Sequence, residues 1–523
     1  MALPQESLPQ QAVVRVLPFV QRYAWGCPAD TAVVAALAKR TKGCINYDAQ
    51  EEASREQQGG STDSRPFAEL WIGTHPNGCA YVMPVEADAF LSRGPQRQVT
   101  APSHPDRALA ARLHAEQPLE YRDANHKPEM AIAIGEFAAL AGFRQPAAVA
   151  ALLQQTPELR QALGQQFMQS DVGRKFQTLP QQQHQDGKEA AHMLKAAFAA
   201  LLQIDLEQNQ QAHSRIREQQ AALKDLHARL LKEPPPDPTR ASQPQLQQEA
   251  EWVALQLLQA YPADIGCFAA FFLNLVLLKD GEALFIPPNY LHCYLKELMA
   301  TSDNVIRGGL TSKKVDAPLL LQSLDFSPLL QAPARTFPAA MPQGAEEQLT
   351  LLRRLCMPPT DSSPQEQQQV QQQEQQQEQQ QVQQQQEQCC LYHPPLWRFP
   401  EFCTARVSLP LGCSRSLELL HRTPGVLLVL WAPFRAAMRI HSKSHEVAVC
   451  LRTGDIFYIA AEATVVLDCT QLEAEDGVKN PTQRETARDG LAKLLLQHDN
   501  PEPNRHNLLA FLVTGGITEH LLQ

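Results

Sequence analysis

The chain has 523 residues, several times the length of a typical domain, so we expect two or three domains with separate cores. Its formal charge of −10 argues against the broad basic face that nucleic-acid or anionic-membrane binding requires. Forty prolines accompany only 6% aromatic residues, which indicates many loop breaks and some stretches without a core.

The cysteines and the longest apolar run bear on where the protein resides. The twelve cysteines are scattered without a Cys-x-x-Cys pair, and the N-terminal segment lacks the basic-then-apolar plan of a signal peptide. The longest apolar run, Cys267 to Leu278, is interrupted by Asn274 and is too short to span a membrane, so it predicts a buried strand or helix. We therefore expect a reduced, cytoplasmic protein with no membrane and no nucleic-acid partner.

The first half of the chain divides into a strand-rich part and a helical part. Residues 11–145 carry short apolar stretches broken by Gly, Pro and Asn, which predicts β-structure. From Pro146 to Leu231, apolar residues recur at three- and four-residue spacing, which predicts helices. Pro234 begins a proline-rich break, because proline lacks the backbone donor, and a further helix is predicted over Gln245 to Tyr261.

Strand patterning returns at Leu275–Pro287. Two strands are predicted there about the turn Lys279-Asp-Gly. A β-domain split by a helical insertion explains this order of strands, helices and strands.

The last third of the chain begins with a tract of low complexity. Residues 365–388 are almost all glutamine, with other residues spaced four apart, which predicts a disordered linker that forms helix transiently. Strand patterns follow and resemble a second small β-barrel, interrupted by the polar segment Glu473–Asn504. The predicted strands are Ala405–Leu409, Val426–Trp431, Gly454–Ala460 and Ala510–Thr514.

Three polar clusters lie far apart in the sequence, each on a predicted strand or its edge. They are Ser103-His-Pro-Asp, Asn125-His-Lys-Pro-Glu and Asn289-Tyr-Leu-His. Two histidines and a carboxylate are a common catalytic zinc set. If the second cluster is extended, Lys127 and Glu129 share one face and His126 points to the other, which favours Glu129 as the ligand. From spacing alone, however, any one of the 16 histidines is more often a surface or core residue than a ligand.

A fourth cluster carries basic residues. Asp303, Val305 and Arg307 would share one face of a strand. Arg307 could hold an anionic group such as phosphate by a bidentate contact, and Lys313 or Lys314 could add a point charge. Judged without other information, a solvated loop with a surface arginine is the commoner case.

Four segments together resemble type I mannose-6-phosphate isomerases in content and in order. They are Val20-Gln-Arg-Tyr-Ala-Trp-Gly, Ala68-Glu-Leu-Trp-Ile-Gly-Thr-His-Pro-Asn-Gly, Asp123-Ala-Asn-His-Lys-Pro-Glu-Met-Ala and Ser302-Asp-Asn-Val-Ile-Arg-Gly-Gly-Leu-Thr-Ser-Lys. The resemblance covers most of residues 13–320 and is weaker in the C-terminal β-region.

The resemblance implies a mainly β fold with a helical insertion, built from two cupin-type jelly rolls plus an α-helical domain. The implied bounds are 11–145 and 262–320 for a split catalytic jelly roll, 146–261 for the helical insertion, 321–363 and 389–523 for a C-terminal jelly roll, and 364–388 for the Gln-rich linker.

The same resemblance implies an activity and a cofactor. The expected reaction interconverts mannose 6-phosphate and fructose 6-phosphate through an enediol or enediolate, and it supplies mannose for GDP-mannose synthesis. One Zn²⁺ per chain is expected on His104, Glu129 and His292. The expected partner is a small-molecule sugar phosphate, and the expected state is a monomer.

Further residues receive roles from the resemblance. The family's catalytic arginine falls on Arg307, and we expect Lys127 or Asp303 to assist proton movement. The residues expected to bind substrate are Thr100, which keeps a hydroxyl at the family's Ser position, Lys313 and Trp25.

The chain departs from the family pattern close to the expected metal. The family's Gln ligand should lie two residues before His104, where this chain has Pro102, whose side chain cannot bind a metal. In the family, an apolar strand that carries a substrate-binding Lys is expected where this chain has residues 90–100, whose sequence is different. The segment after His292 is also shortened. A diverged protein and an imperfectly assembled coding sequence both explain these changes.

The departures raise a competing hypothesis, which is a catalytically impaired cupin-fold protein that binds sugar phosphate without turnover. Against it, His104, Glu129 and His292 still form a His₂Glu set, and three protein ligands suffice in many catalytic zinc sites. The sequence also retains Arg307 and Lys127. We therefore favour the enzyme.

Overall fold

We describe the architecture from a computed structural model of the chain. The residues that it describes are 13–27, 33–41, 43–47, 67–72, 80–84, 107–119, 121, 129–134, 137–179, 187–202, 211–240, 245–287, 289–294, 306–310, 315–328, 335–336, 339–340, 345–355, 389–394, 402–418, 424–432, 436–442, 446–461, 463–469 and 508–515. The Gln-rich tract 365–388 and the polar segment 473–504, both singled out from the sequence, lie outside these residues.

The described residues form twenty β-strands and eleven α-helices. The strands are β1 Val13–Leu17, β2 Phe19–Cys27, β3 Phe67–Trp71, β4 Tyr81–Pro84, β5 Glu129–Ile132, β6 Phe137–Phe143, β7 Leu273–Leu278, β8 Ala283–Ile286, β9 His292–Tyr294, β10 Arg335–Thr336, β11 Ala339–Ala340, β12 Cys389–Tyr392, β13 Phe402–Leu409, β14 Ser414–Glu418, β15 Gly425–Trp431, β16 Ala437–His441, β17 Glu446–Cys450, β18 Ile456–Ile459, β19 Thr464–Asp468 and β20 Leu508–Gly515. The helices are α1 Val33–Ala38, α2 Arg107–Glu116, α3 Pro146–Gln155, α4 Pro157–Leu163, α5 Gln165–Gln169, α6 Asp171–Thr178, α7 Gly187–Leu202, α8 Gln211–Lys232, α9 Leu246–Ala260, α10 Ala317–Ser323 and α11 Ala345–Leu355, with 3₁₀ helices at Pro238–Arg240 and Ile265–Phe271.

The chain divides into two compact units. Unit 1 contains Met1–Pro102 and Thr336–Gln523, and unit 2 contains Ser103–Arg335. Residues 11–102, which the sequence led us to expect in the first jelly roll, thus cluster with the C-terminal part of the chain. The domain bounds given above otherwise stay predictions.

The N-terminal strand β1 pairs with β18 on one side and with β4 on the other. Val13 of β1 lies opposite Ile459 of β18, and Leu17 lies opposite Tyr81 of β4. The side chain of Arg15 contacts Asp455, and both side chains are almost fully buried. Because a buried charge needs a partner, this ion pair helps to hold β1 beside β18.

Twelve strands of unit 1 form two sheets that share a core, and β2 and β3 form a separate two-stranded sheet. One has eight strands in the order β11-β12-β13-β20-β15-β18-β1-β4, and the other has four in the order β14-β19-β16-β17. Fully buried side chains from both sheets meet in this core, for example Leu427 and Phe457 from the first and Met438 and Val465 from the second. The four strands predicted in the C-terminal region are confirmed as β13, β15, β18 and β20.

Unit 2 has three layers. A sheet in the order β7-β6-β9 packs on one face against β5 and β8, through Ala139, Ala141, Leu284 and Ile286 among others. On its other face, Leu140 and Phe143 of β6 contact the helices. Every residue of β6 is buried, which explains why its sequence is apolar throughout and does not alternate.

The two strands predicted about Lys279-Asp-Gly are confirmed, but they do not pair with each other. Strands β7 and β8 form on either side of Lys279-Asp-Gly, but β7 pairs with β6 and β8 pairs with β5, in different sheets. Val276 and Leu284 pack into the same core. The turn, with Gly281 at a φ of +79°, therefore carries the chain across the core from one sheet to the facing sheet.

The helices predicted between Pro146 and Leu231 are confirmed as α3 to α8, and the next predicted helix is confirmed as α9. Helix α8 ends at Lys232, before the proline-rich break. Arg229 of α8 donates hydrogen bonds to Glu158 of α4 at 2.8 Å and to Glu251 of α9 at 2.7 Å. This guanidinium therefore joins three helices around their shared apolar core. Within the described residues, no helix has both the length and the apolar character needed to cross a bilayer.

Two adjacent leucines of α8 test the helical core. Leu230 is fully buried and Leu231 is 54% exposed. We expect Leu230→Ala to lower the free energy of unfolding by about 2–5 kcal/mol, because it removes packed atoms and leaves a cavity. We expect Leu231→Ala to change it by less than about 0.5 kcal/mol. Urea unfolding followed by far-UV circular dichroism measures both, and similar effects of the two variants would contradict this packing.

Candidate functional site

The candidate site lies in unit 2 at the end of the core between its two sheets. Glu129 is the first residue of β5 and lies opposite Ile286, the last residue of β8. The chain then turns through Asn289, which has a φ of +68°, and enters β9 at His292. Asparagine tolerates this left-handed conformation better than most residues. The turn thereby brings His292 from the facing sheet towards Glu129.

The imidazole of His292 is oriented by the main chain. Its Nδ1 lies 2.8 Å from the carbonyl oxygen of Tyr290. Because a carbonyl oxygen only accepts, Nδ1 is the protonated nitrogen, and in the neutral ring Nε2 carries a lone pair. A hydrogen bond of this kind commonly fixes the tautomer of a metal-binding histidine.

The carboxylate of Glu129 is buried and has two polar neighbours on β9. Its side chain is only 3% exposed, compared with 25% for His292. Oε2 accepts a hydrogen bond of 2.8 Å from the hydroxyl of Tyr294, and the same oxygen lies 3.1 Å from Nε2 of His292. The ring of Tyr294 packs on that of His292, with centroids 5.4 Å apart. The three side chains therefore form one connected group.

The contact between His292 and Glu129 needs a proton or a metal ion. With Nδ1 donating to Tyr290, a neutral imidazole turns its lone pair towards a carboxylate oxygen, and two acceptors at 3.1 Å repel each other. A proton on Nε2, a proton on Oε2, or a metal ion bound by both atoms removes the repulsion. Two ligand atoms on one tetrahedral zinc are about 3.4 Å apart, so this pair has nearly the spacing that zinc requires. The donor set and the geometry both fit the metal.

Most of the other predicted site residues lie outside the described part of the chain. These residues are Thr100, Pro102, His104, Lys127, Asp303 and Lys313. Trp25 lies on β2 in unit 1, but its side chain is not among those described. Within the described residues no group of three or more His, Cys, Asp or Glu side chains could hold a metal. The structure thus brings together two of the three predicted ligands, and the place of His104 stays a prediction.

Arg307 lies in an irregular segment of unit 2 and is half-buried. Its carbonyl oxygen accepts a hydrogen bond of 2.9 Å from the backbone N–H of Asp316, at the start of α10. The strand face predicted for Asp303, Val305 and Arg307 cannot be compared with the structure, since the first two lie outside the described residues.

Sequence reasoning missed Tyr294, although a signal for it was present. His292 and Tyr294 are two residues apart on a strand, so their side chains share one face. A histidine expected to bind a metal therefore implies that the residue two positions along faces the same site. The role of the Tyr290 carbonyl has no such signal, because any residue type offers the same main-chain oxygen.

Known proteins resemble this chain in sequence. The family model described as "Phosphomannose isomerase type I, catalytic domain" matches residues 95–146. The mannose-6-phosphate isomerase of Homo sapiens is 33% identical over 360 residues, which cover 61% of this chain and 74% of that protein. The mannose-6-phosphate isomerase of Bos taurus is 29% identical over 502 residues, which cover 88% of this chain and 96% of that protein.

Solved structures resemble it in fold. A crystal structure of a phosphomannose isomerase mutant from Salmonella typhimurium gives a TM-score of 0.54 at 18% sequence identity and covers 97% of this chain and 100% of that chain. A zinc-bound structure of mannose 6-phosphate isomerase gives 0.53 at 19%, with the same coverage. These likenesses establish the fold, which is the cupin fold of the phosphomannose isomerases.

The hydroxyl of Tyr294 gives a test of the site that does not depend on turnover. We expect Tyr294→Phe to weaken zinc binding by about 10- to 100-fold, because Glu129 loses the donor that orients it. Competition with a chromophoric chelator measures the affinity. Tyr458→Phe, which removes a hydroxyl in unit 1, is the matched control and should leave the affinity unchanged. Equal affinities of wild type and Tyr294→Phe would show that the hydroxyl does not support a metal ligand.

Proposed function

The chain belongs to the mannose-6-phosphate isomerase family, and on this basis we propose that it interconverts mannose 6-phosphate and fructose 6-phosphate. The observation that carries the proposal is the contact of the buried Glu129 with the partly exposed His292, two of the residues expected to bind zinc. Nε2 of His292 and Oε2 of Glu129 lie 3.1 Å apart, with their orientations fixed by Tyr290 and Tyr294.

The reaction moves a proton between C1 and C2 of the open-chain sugar, and its barrier comes from negative charge that develops on oxygen in the enediolate. Groups that are already oriented stabilise such charge without reorganising during the reaction. A zinc ion on Glu129, His292 and His104 would supply a Lewis acid for the sugar oxygens. Loss of the family's Gln position at Pro102 leaves three protein ligands, and three suffice in many catalytic zinc sites.

The chain's own residues supply the remaining functions. Tyr294 satisfies one lone pair of Glu129 and keeps its carboxylate turned towards His292. The guanidinium of Arg307 stays protonated and offers a planar, bidentate contact to a developing anion. Lys127 or Asp303 moves the proton, and Thr100, Lys313 and Trp25 contact the substrate in this proposal.

The finer description of the fold is also part of the proposal. Two sheets that share a core in unit 1, two facing sheets in unit 2 and the helices α3 to α9 support two jelly rolls and a helical domain. One zinc ion per chain, a monomeric state, a cytoplasmic location and the supply of mannose for GDP-mannose synthesis stay predictions of the sequence.

Activity of the purified chain tests the proposal. We expect stoichiometric zinc and turnover of mannose 6-phosphate to fructose 6-phosphate, with loss of turnover in dipicolinate and recovery on adding zinc. A coupled assay for glucose 6-phosphate, after addition of a glucose-6-phosphate isomerase, measures the product. A metal-free chain that binds mannose 6-phosphate but does not turn it over would favour the alternative, an impaired cupin-fold protein.

The proton carrier is tested by Lys127→Met. We expect kcat to fall by about 100-fold or more, because an ammonium that takes part in proton transfer has been removed, while the zinc content stays unchanged. Lys279→Met, at the turn between β7 and β8, is the matched control and should retain full activity. If Lys127→Met turns over at the wild-type rate, Lys127 is not the carrier and Asp303 remains the candidate.

A further inference from the structure

One carboxylate in unit 2 holds two distant segments of the chain together. Oδ1 of Asp264 accepts a hydrogen bond of 2.7 Å from the backbone N–H of Gly266, at the start of the 3₁₀ helix Ile265–Phe271. Oδ2 accepts one of 2.7 Å from the backbone N–H of Leu310. Leu310 is three residues from Arg307, so Asp264 is bonded to the segment that carries the expected catalytic arginine.

The bonded segment has an unusual backbone conformation. Gly309 has a φ of +154° and Leu310 a φ of +56°. A leucine in the left-handed region is uncommon, because its Cβ approaches the carbonyl oxygen, and the conformation persists only where the surroundings impose it. The side chain of Leu310 packs against the helical core, and its N–H is held by Asp264. These two contacts account for the conformation.

Two glycines make room for the carboxylate. A Cβ on Gly309 would lie 2.7 Å from Oδ1 of Asp264, and a Cβ on Gly266 would lie 2.9 Å from the same oxygen. Both distances are too short for real contacts, so the approach of the two segments to Asp264 depends on both glycines. The bridge therefore requires three residues, which are Asp264, Gly266 and Gly309.

The thiol beside the Asp264 bridge carries no negative charge. The thiol of the neighbouring Cys267 is buried, and burial, followed by the negative charge of Asp264, raises its pKa well above the usual range. The thiol is therefore neutral at physiological pH and does not repel the carboxylate. On the other side of Arg307, the N–H of Asp316 holds the Arg307 carbonyl at 2.9 Å.

We propose that Asp264 is a positioning residue for Arg307. Its carboxylate fixes the backbone of Gly309 and Leu310, and this conformation, together with the bond from Asp316, sets the direction in which the Arg307 guanidinium leaves the main chain. The inference rests on the proposed function, since it gives Arg307 the task of holding the anion. Asp264 itself touches neither the substrate nor Glu129 and His292 in this scheme.

The variant Asp264→Asn tests the proposal with little change of volume. The amide keeps one acceptor oxygen and replaces the other with a donor, so one of the two N–H groups loses its partner. We expect kcat to fall about 10- to 100-fold with a smaller change in KM, because a small displacement of Arg307 weakens contacts made mainly in the transition state. Zinc content, measured on the same preparation, should equal that of the wild type.

A double-variant cycle separates positioning from general stability. If Asp264 acts through Arg307, Asp264→Asn should cause no further loss of kcat in an Arg307→Ala background. Ser170→Ala is the matched control, because Ser170 accepts from the N–H of Gly173 at 3.1 Å at the start of α6 and its loss removes a comparable cap. Ser170→Ala should lower the unfolding midpoint and leave kcat unchanged.

The outcomes distinguish this inference from the proposed function. An active wild type with an unchanged kcat in Asp264→Asn, or with the same loss in both backgrounds, overturns the positioning role alone. If the wild type lacks turnover but binds mannose 6-phosphate in titration calorimetry, weaker binding by Asp264→Asn supports positioning of Arg307, and equal binding overturns it. A wild type that neither binds nor turns over mannose 6-phosphate overturns the proposed function and this inference with it.

Discussion

Two acceptor atoms that face each other at 3.1 Å need a proton or a metal ion between them, and in this chain they are Nε2 of His292 and Oε2 of Glu129. The packing of the two sheets in unit 2 brings these atoms together. Strands β5 and β9 lie in different sheets, so the pair forms only because both sheets pack on one core. The carbonyl of Tyr290, just before β9, orients His292. The hydroxyl of Tyr294, on β9, orients Glu129. The electrostatic contact between Glu129 and His292 therefore depends on the packing of the two sheets.

Much of the fold could be predicted because local signals were strong. The three- and four-residue spacing of apolar residues after Pro146 predicted the helices, and Pro234 predicted the end of α8. The strands with which β7 and β8 pair could not be predicted in the same way. A Lys-Asp-Gly turn indicates a reversal of the chain, but it does not say whether the next strand joins the same sheet or crosses the core. That choice is made by contacts of Val276 and Leu284 with residues far away in sequence.

The site shows the same limit. Period-two alternation selected Glu129 over His126, and the structure brings Glu129 and His292 together, although their roles as ligands stay predictions. Ordered motifs, not spacing, supplied the link between segments 163 positions apart. The Asp264 bridge had no sequence signal, because it depends on a carboxylate meeting a main-chain N–H across a 46-residue separation. A hydrogen bond from a backbone N–H does not restrict the residue type that donates it. Only the two glycines beside Asp264 are restricted by this contact.

Strand β6 is buried on both faces, and this has a consequence for how the unit unfolds. One face contributes Ala139 and Ala141 to the core beside the site, and the other contributes Leu140 and Phe143 to the core of the helices. The helices therefore cannot separate from the sheet without exposing apolar surface that also supports β9. Any molecule that binds at Glu129 and His292 should, by mass action, raise the melting temperature of helices it never touches. We therefore expect the helices that pack on β6 to unfold together with the site.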